Sequence, residues 1–312
     1  MQIFVSGSLA YDRIMSFPGK FSDHILPDKI HILNVCFMVD GLDERFGGTA
    51  GNIAYSLNLL EEKPVILACA GKDFDSYEKW LRQQGLSLKG VRQVDTEHTA
   101  GAYITTDKSD NQITGFNPGA MKHPSQFDFS RVPPDDALAI VAPGNLQDMQ
   151  EYPRAYRDLH IPYIFDPGQS LPAFNGEQLK DMITGARILV SNDYELEMIM
   201  KATGETKAQL LERAEVIITT LGEKGSLITE RNGRTTQVPA ARIARCVDPT
   251  GAGDAYRSGL IKGLAMGWEL PRAALVASTC ASFAVEYLGT QEHSFSLDEF
   301  WARFEENYGK PA

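Results

Sequence analysis

The chain has 312 residues, 43% hydrophobic and 23% charged, a balance that suits a globular protein with a large buried core. Its formal net charge is −11 and no run of Lys or Arg interrupts that acidity, which excludes a broad nucleic-acid surface. There is no apolar run of about 18 residues to span a membrane, and the start lacks the basic and apolar regions of a signal peptide, so a cytoplasmic protein is expected. The four cysteines, Cys36, Cys69, Cys246 and Cys280, form no CxxC pair and read as reduced, mostly buried thiols. The six histidines show no HExxH spacing, so no zinc site is expected.

In chain order the pattern alternates strand and helix. Residues 2–8 are a short apolar run that reads as a first buried strand. Apolar residues at helical spacing over 50–60 precede a second strand at 64–69, and 73–84 predicts a helix that buries Trp80 and Leu81. Further strands are predicted at 137–142, 163–165, 188–190 and 216–219, with helices at 149–159, 177–183 and 194–201 between them. Residues 225–229 and 235–238, joined through Asn232-Gly233, predict a hairpin. Helices are expected over 253–266 and 272–287. Repeated strand–helix units imply an α/β fold with a mostly parallel sheet covered on both faces.

Two segments break the alternation. Residues 13–46 and 99–118 carry short β-like stretches, at 30–39, 102–106 and 112–116, the last two separated by a turn-rich connection at 107–111. They read as a small sheet projecting from a core made of 1–12, 47–98 and 119–312, the other reading being ordinary surface excursions.

Chemistry concentrates in Asp248-Pro-Thr-Gly-Ala-Gly-Asp254, at the entrance of the helix expected from 253. Gly251, Ala252 and Gly253 offer backbone N–H groups that, with the helix dipole, stabilise negative charge on phosphate oxygens. Asp254 ends that loop, where a carboxylate can orient and deprotonate an attacking alcohol. Upstream, Gly47-Gly48-Thr-Ala-Gly51-Asn52 opens a helix: its glycines let backbone approach a ligand, and Asn52 brings a donor and an acceptor to a hydroxyl. Asp12 follows the first strand, at the end of a sheet where such folds build ligand sites. Asn192 and Glu195 have the spacing of a capping box. Thr219-Thr-Leu-Gly222-Glu-Lys-Gly225 turns out of a buried strand into the hairpin.

The string 248–260, with these other segments in the same order, resembles the PfkB-type (ribokinase-like) kinases of sugars and nucleosides. That resemblance implies a ribokinase-like fold with a β-sheet lid over the acceptor, ATP as phosphoryl donor, and Asp254 as the base beside an anion hole of Gly251, Ala252 and Gly253. It implies that Ser8, Asp12, Gly48, Asn52 and Gln169 hold the acceptor, with Asp12 on a pair of ribose hydroxyls. Asn192, Thr220, Gly222, Gly225, Gly251 and Gly253 would approach ATP, Glu195 would hold Mg2+ through water, and Asp248 with Thr250 would border a monovalent-cation (K+) site. Glu195 serves both as cap and as outer-shell metal partner under this reading, since one role does not exclude the other.

Several further strings, among them 17–22, 37–40, 116–121, 166–169, 191–195 and 289–292, are similar to the bacterial adenosine kinases of the family, which implies phosphorylation of adenosine to AMP in purine salvage. Inosine, guanosine or a neutral sugar such as ribose or fructose are the other acceptors, and a non-catalytic relative that binds nucleoside as a sensor is the reading from a different class. Sugar kinases of the family that act on keto acids often carry D-x-N-x-R where this chain has Asp166-Pro-Gly-Gln-Ser170, and the missing Arg disfavours an acidic sugar. Phe116 is either a platform for a purine or a core residue of the lid. Ala102 offers no second aromatic, and Tyr103 must face the opposite side of its strand. The resemblance also implies a homodimer formed through the lid.

Overall fold

The computed structural model describes residues 1–310. The chain runs β1 (Gln2–Ser6), β2 (Ala10–Ser16), β3 (Asp40–Gly47), α1 (Thr49–Leu59), β4 (Val65–Gly71), α2 (Asp75–Gln83), β5 (Val91–Val94), β6 (Ala100–Thr106) and β7 (Gln112–Asn117). It continues with β8 (Ala137–Val141), α3 (Leu146–Asp158), β9 (Tyr163–Phe165), α4 (Gly176–Ile183), β10 (Ile188–Asn192), α5 (Asp193–Thr203), α6 (Lys207–Arg213) and β11 (Val216–Thr220). Last come β12 (Ser226–Glu230), β13 (Thr235–Val238), α7 (Ala252–Ala265), α8 (Leu270–Ala284) and α9 (Leu297–Tyr308).

Nine strands form one sheet in the order β13-β12-β11-β10-β9-β8-β1-β4-β5. All its pairs are parallel except β11–β12 and β12–β13, the hairpin expected at 225–238. The interior strands are apolar on both faces because both faces are covered. Ile3 and Val5 pack with Leu57, Leu260 and Ala277 on the side of α1, α7 and α8, while Phe4 points to the opposite cluster around Tyr156, Leu179 and Ile199. The expected α/β architecture is therefore the observed one. Among the described residues no helix is long and apolar enough to cross a membrane.

A second sheet, β3-β2-β6-β7, forms the small lid. Its tip is held by an aromatic cluster, Phe17 stacking on Phe21 at 5.7 Å and meeting Phe37 at 4.9 Å. Asp107 ties that cluster to the 107–111 turn by accepting from the backbone N–H of Phe21 at 2.9 Å.

Several expectations need correction. The apolar stretch 30–39 is no strand: Pro27–Ile32 is 3-10 helix, and Ile30, Ile32, Leu33 and Met38 are exposed, because no opposing surface covers them. The strands of this segment lie at its two ends, as β2 and β3, where pairing with β6 and with each other supplies the ladder. Asp12 therefore belongs to the lid sheet, as the third residue of β2. The helix expected from 149 starts at Leu146 because Asn145 caps it, accepting from Gln147 and Asp148 N–H. Two cysteines, Cys69 and Cys280, are buried, whereas Cys36 and Cys246 are exposed; all four are free thiols.

Candidate active site

The site forms where the strand order reverses. β1 lies between β4 and β8, and the chain leaves its carboxyl end for the lid instead of a crossover helix. Between that end and the lid is a cleft of about 910 Å³, lined by Ser8, Asp12, Gly48, Phe116, Asn145 and Gln169. Ser8 stabilises the floor: its Oγ accepts from Thr49 N–H at 3.0 Å, and its own N–H donates to Pro143 O at 3.1 Å. Gly48 must be glycine, since its φ is +88° and a Cβ would lie 2.5 Å from Ser8 O. A Cβ on Gly47 would meet Asp12 Oδ2 at 2.6 Å, so the paired glycines also leave room for that carboxylate. Burial raises the Asp12 carboxyl above its ordinary value, opposed by the nearby Arg45 guanidinium.

Phe116 sits opposite Ala102 across β6 and β7, so both share the lid face turned to the cleft. Its ring is 52% exposed, which makes it a free wall and not a lid core residue. Tyr103 is on the opposite face, as strand pleating requires, where its hydroxyl accepts from Arg13 at 3.2 Å.

At the first turn of α7, Asp254 meets the Gly47–Asn52 segment: Asn52 Nδ2 donates to Asp254 Oδ2 at 2.8 Å. Burial pushes the Asp254 carboxyl up to about 6, while Arg257 and the Asn52 hydrogen bond hold it from rising further. Arg257, one turn along, is itself buried and paired with Asp166, donating from Nη2 to Oδ1 at 2.9 Å. A Cβ on Gly253 would stand 2.6 Å from Arg257 Nη1. A side chain at 253 would therefore have to displace the Arg257 guanidinium.

The residues expected to approach ATP come from neighbouring strand ends. Asn192 and Thr220 are register partners at the ends of β10 and β11. Asn192 and Glu195 form a full capping box, Asn192 Oδ1 accepting from Glu195 N–H at 2.7 Å and Glu195 Oε2 from Asn192 N–H at 2.9 Å. Glu195 keeps its other oxygen clear of hydrogen bonds among the described residues, and burial raises its carboxyl. One carboxylate oxygen beside a polar strand end suits Mg2+, which retains most of its water. Among the described residues no group of three His, Cys, Asp or Glu side chains stands ready to cage an ion. Gly222, at φ +58°, has open space around it, but a Cβ on Gly225 would collide with Val238 O, so hairpin closure alone explains that glycine. Asp248 clasps two loops, Oδ1 accepting from Thr250 N–H at 2.9 Å and Oδ2 from Gly289 N–H at 3.0 Å.

The sequence reading did not single out Asn145, Arg257, Asp166 as its partner, or the bonding of Gln291. Arg257 had a visible signal: it is the one charged side chain between Asp254 and Lys262 in a run of small and apolar residues.

Residues 27–296 match the pattern described as pfkB family carbohydrate kinase. The nucleoside kinase of Methanocaldococcus jannaschii is 31% identical over 279 residues, covering 88% of this chain and 90% of that protein. The solved nucleoside kinase of Burkholderia thailandensis in complex with inosine superposes with a TM-score of 0.85 at 38% identity, over 98% of both chains. A ribokinase structure from Thermotoga maritima, at 20% identity and TM-score 0.82, shares the fold.

Proposed function

Because the chain belongs to the pfkB family of carbohydrate kinases, phosphotransferases that use ATP and a hydroxyl acceptor, we propose that it phosphorylates the 5′-hydroxyl of a purine nucleoside, adenosine. The products are AMP and ADP. The observation that carries the reading is the 2.8 Å hydrogen bond between Asn52 and Asp254, which joins a half-buried carboxylate at a helix N-terminus to the helix that starts from Gly48 on the cleft wall.

In this reading Asp12, Gly48 and Asn52 fix the ribose, Ser8 and Gln169 border it, and Phe116 stacks on the base. Asp254 takes the 5′-hydroxyl proton as that oxygen attacks the γ-phosphorus and the bond to the β,γ-bridging oxygen breaks. The N–H groups of Gly251, Ala252 and Gly253 face the charge that spreads over the transferring group. Asn192, Thr220, Gly222 and Gly225 border the donor, and Glu195 would hold Mg2+. The bound Mg2+ would neutralise charge on the donor phosphates. With the Asp248 carboxylate committed to the loops at 250 and 289, a K+ ion there would draw on their carbonyl oxygens.

A second reading, inosine or guanosine as acceptor, is favoured by the inosine complex of the Burkholderia thailandensis relative. ADP formation measured across adenosine, inosine, guanosine, ribose and fructose decides between them. Adenosine is expected to give the highest kcat/KM; inosine or guanosine ranking first replaces adenosine with the second reading, and a sugar outranking every nucleoside overturns both. Asp254→Asn is expected to lower kcat by roughly 10²–10⁴ while ATP still binds. A variant that keeps most of its turnover removes Asp254 as the base.

A further inference from the structure

Behind Asn52 lies a chain of side chains with no exposure to speak of: Gln291 is 3% exposed, Asn52 5% and Tyr77 0%. Trp80 Nε1 donates to Gln291 Oε1 at 3.2 Å. Gln291 Nε2 then donates to Asn52 Oδ1 at 3.1 Å and to the Tyr77 hydroxyl at 2.6 Å. Tyr77 passes its own hydrogen to Gly47 O at 2.8 Å.

The direction of this chain follows from its two ends. An indole N–H can only donate, so it selects the carbonyl end of the Gln291 amide. A backbone carbonyl can only accept, so the Tyr77 hydroxyl spends its hydrogen on Gly47 and must accept from Gln291. Both anchors turn Nε2 towards Asn52, which makes Oδ1 of Asn52 the acceptor and leaves Nδ2 facing Asp254 Oδ2. The opposite orientation of the Asn52 amide would set its oxygen against a carboxylate and its NH2 against another NH2. The packing agrees. Trp80 stacks between Phe46 and Tyr55 at 5.9 and 6.1 Å, Tyr77 stacks on Phe46 at 4.6 Å, and Gly51 lacks the Cβ that would fill the place of the Tyr77 hydroxyl.

We propose that Gln291, oriented by Trp80 and Tyr77, is a positioning residue: it fixes Asn52 as a donor to one oxygen of Asp254 and leaves the other oxygen free for the acceptor hydroxyl. This rests on Asp254 acting as the base. The other charged groups around Asp254 are Arg257 on its own helix, which favours the ionised form, and Asp166 beyond β9, which opposes it. Tyr77 remains neutral because burial raises its hydroxyl well above the ordinary value. Without the relay Asn52 is free to turn its oxygen to the carboxylate, the ionised form loses its donor, and Asp254 titrates at higher pH.

The test is Gln291→Met, which keeps the volume and removes both amide ends. We expect kcat to fall about tenfold, KM for ATP and nucleoside to stay within about twofold, and the acid limb of the kcat profile to rise by about half a unit or more. A second readout does not need turnover: carboxyl 13C resonances of the labelled protein, with Asp254 assigned by its loss in Asp254→Asn, should show the same upward shift. If Gln291→Met does not fold, the double variant Trp80→Phe, Tyr77→Phe, which keeps an aromatic ring at both positions and removes both anchors, is read against the same thresholds. A folded variant in which the Asp254 titration is unmoved, or in which only KM changes, overturns the relay. Failure of the acceptor panel with an upward-shifted resonance would sink the kinase reading and leave the relay standing.

Discussion

Asp254 shows what a desolvated carboxylate does to stability. Its folded value of about 6 lies above the ordinary 3.8, so the fold favours its protonated form. That contribution is fully present below about pH 4 and is lost as the pH rises through 6. Asp254→Asn removes the penalty, so the variant should be more stable than the parent at pH 8 by on the order of 2 kcal/mol, with the gain vanishing near pH 4. Denaturant titrations at the two pH values measure this, and an equal difference at both would show that desolvation of the charge is not the cause. Asp254 could be picked out from the sequence because a carboxylate directly after a glycine-rich turn at a helix start is visible within one short string. Arg257 and Gln291 were harder, since a lone Arg and a lone Gln acquire meaning only from Asp166 and Trp80, 91 and 211 residues away.

At the scale of an element, α5 carries two readings of one residue. Glu195 closes the capping box with Asn192, and a glutamine at the same position closes it equally well. Glu195→Gln should therefore keep stability within about 0.5 kcal/mol while the Mg2+ concentration for half-maximal rate rises severalfold. An unchanged Mg2+ requirement would reduce Glu195 to a cap. The same signature explains a helix that the pattern reading passed over: Ser296 and Glu299 make a complete capping box for α9, whose Phe300 and Phe304 pack on Phe283 and Cys280 of α8. In the lid the error ran the other way. Ile30, Ile32 and Leu33 have the composition of a strand, but a strand forms only where a ladder partner exists, and here β2 finds β3 and β6 instead.

Across the whole molecule, the interior strands of the nine-stranded sheet are buried on both faces, while every residue of the lid's outer strand β7 is exposed. Local stability should follow that contrast, with backbone amides of β6 and β7 exchanging faster than those of β8 to β11 and slowing when nucleoside binds. Exchange in the lid unaffected by nucleoside would separate it from the acceptor site. We also propose that two copies pair through the lid, and sedimentation showing only a single chain at high concentration would remove that assembly. The alternation of buried strands and helices, the glycine turn with Asp254, and the Gly47–Asn52 loop were legible in the chain because each depends on residues close in sequence. Which face Phe116 presents, how Asp12 joins the lid, and how Gln291 orients Asn52 depended on strand register and on packing between distant segments. Local order is written in local residues, but the direction of a buried hydrogen bond is decided only when the tertiary fold brings its donor and acceptor together.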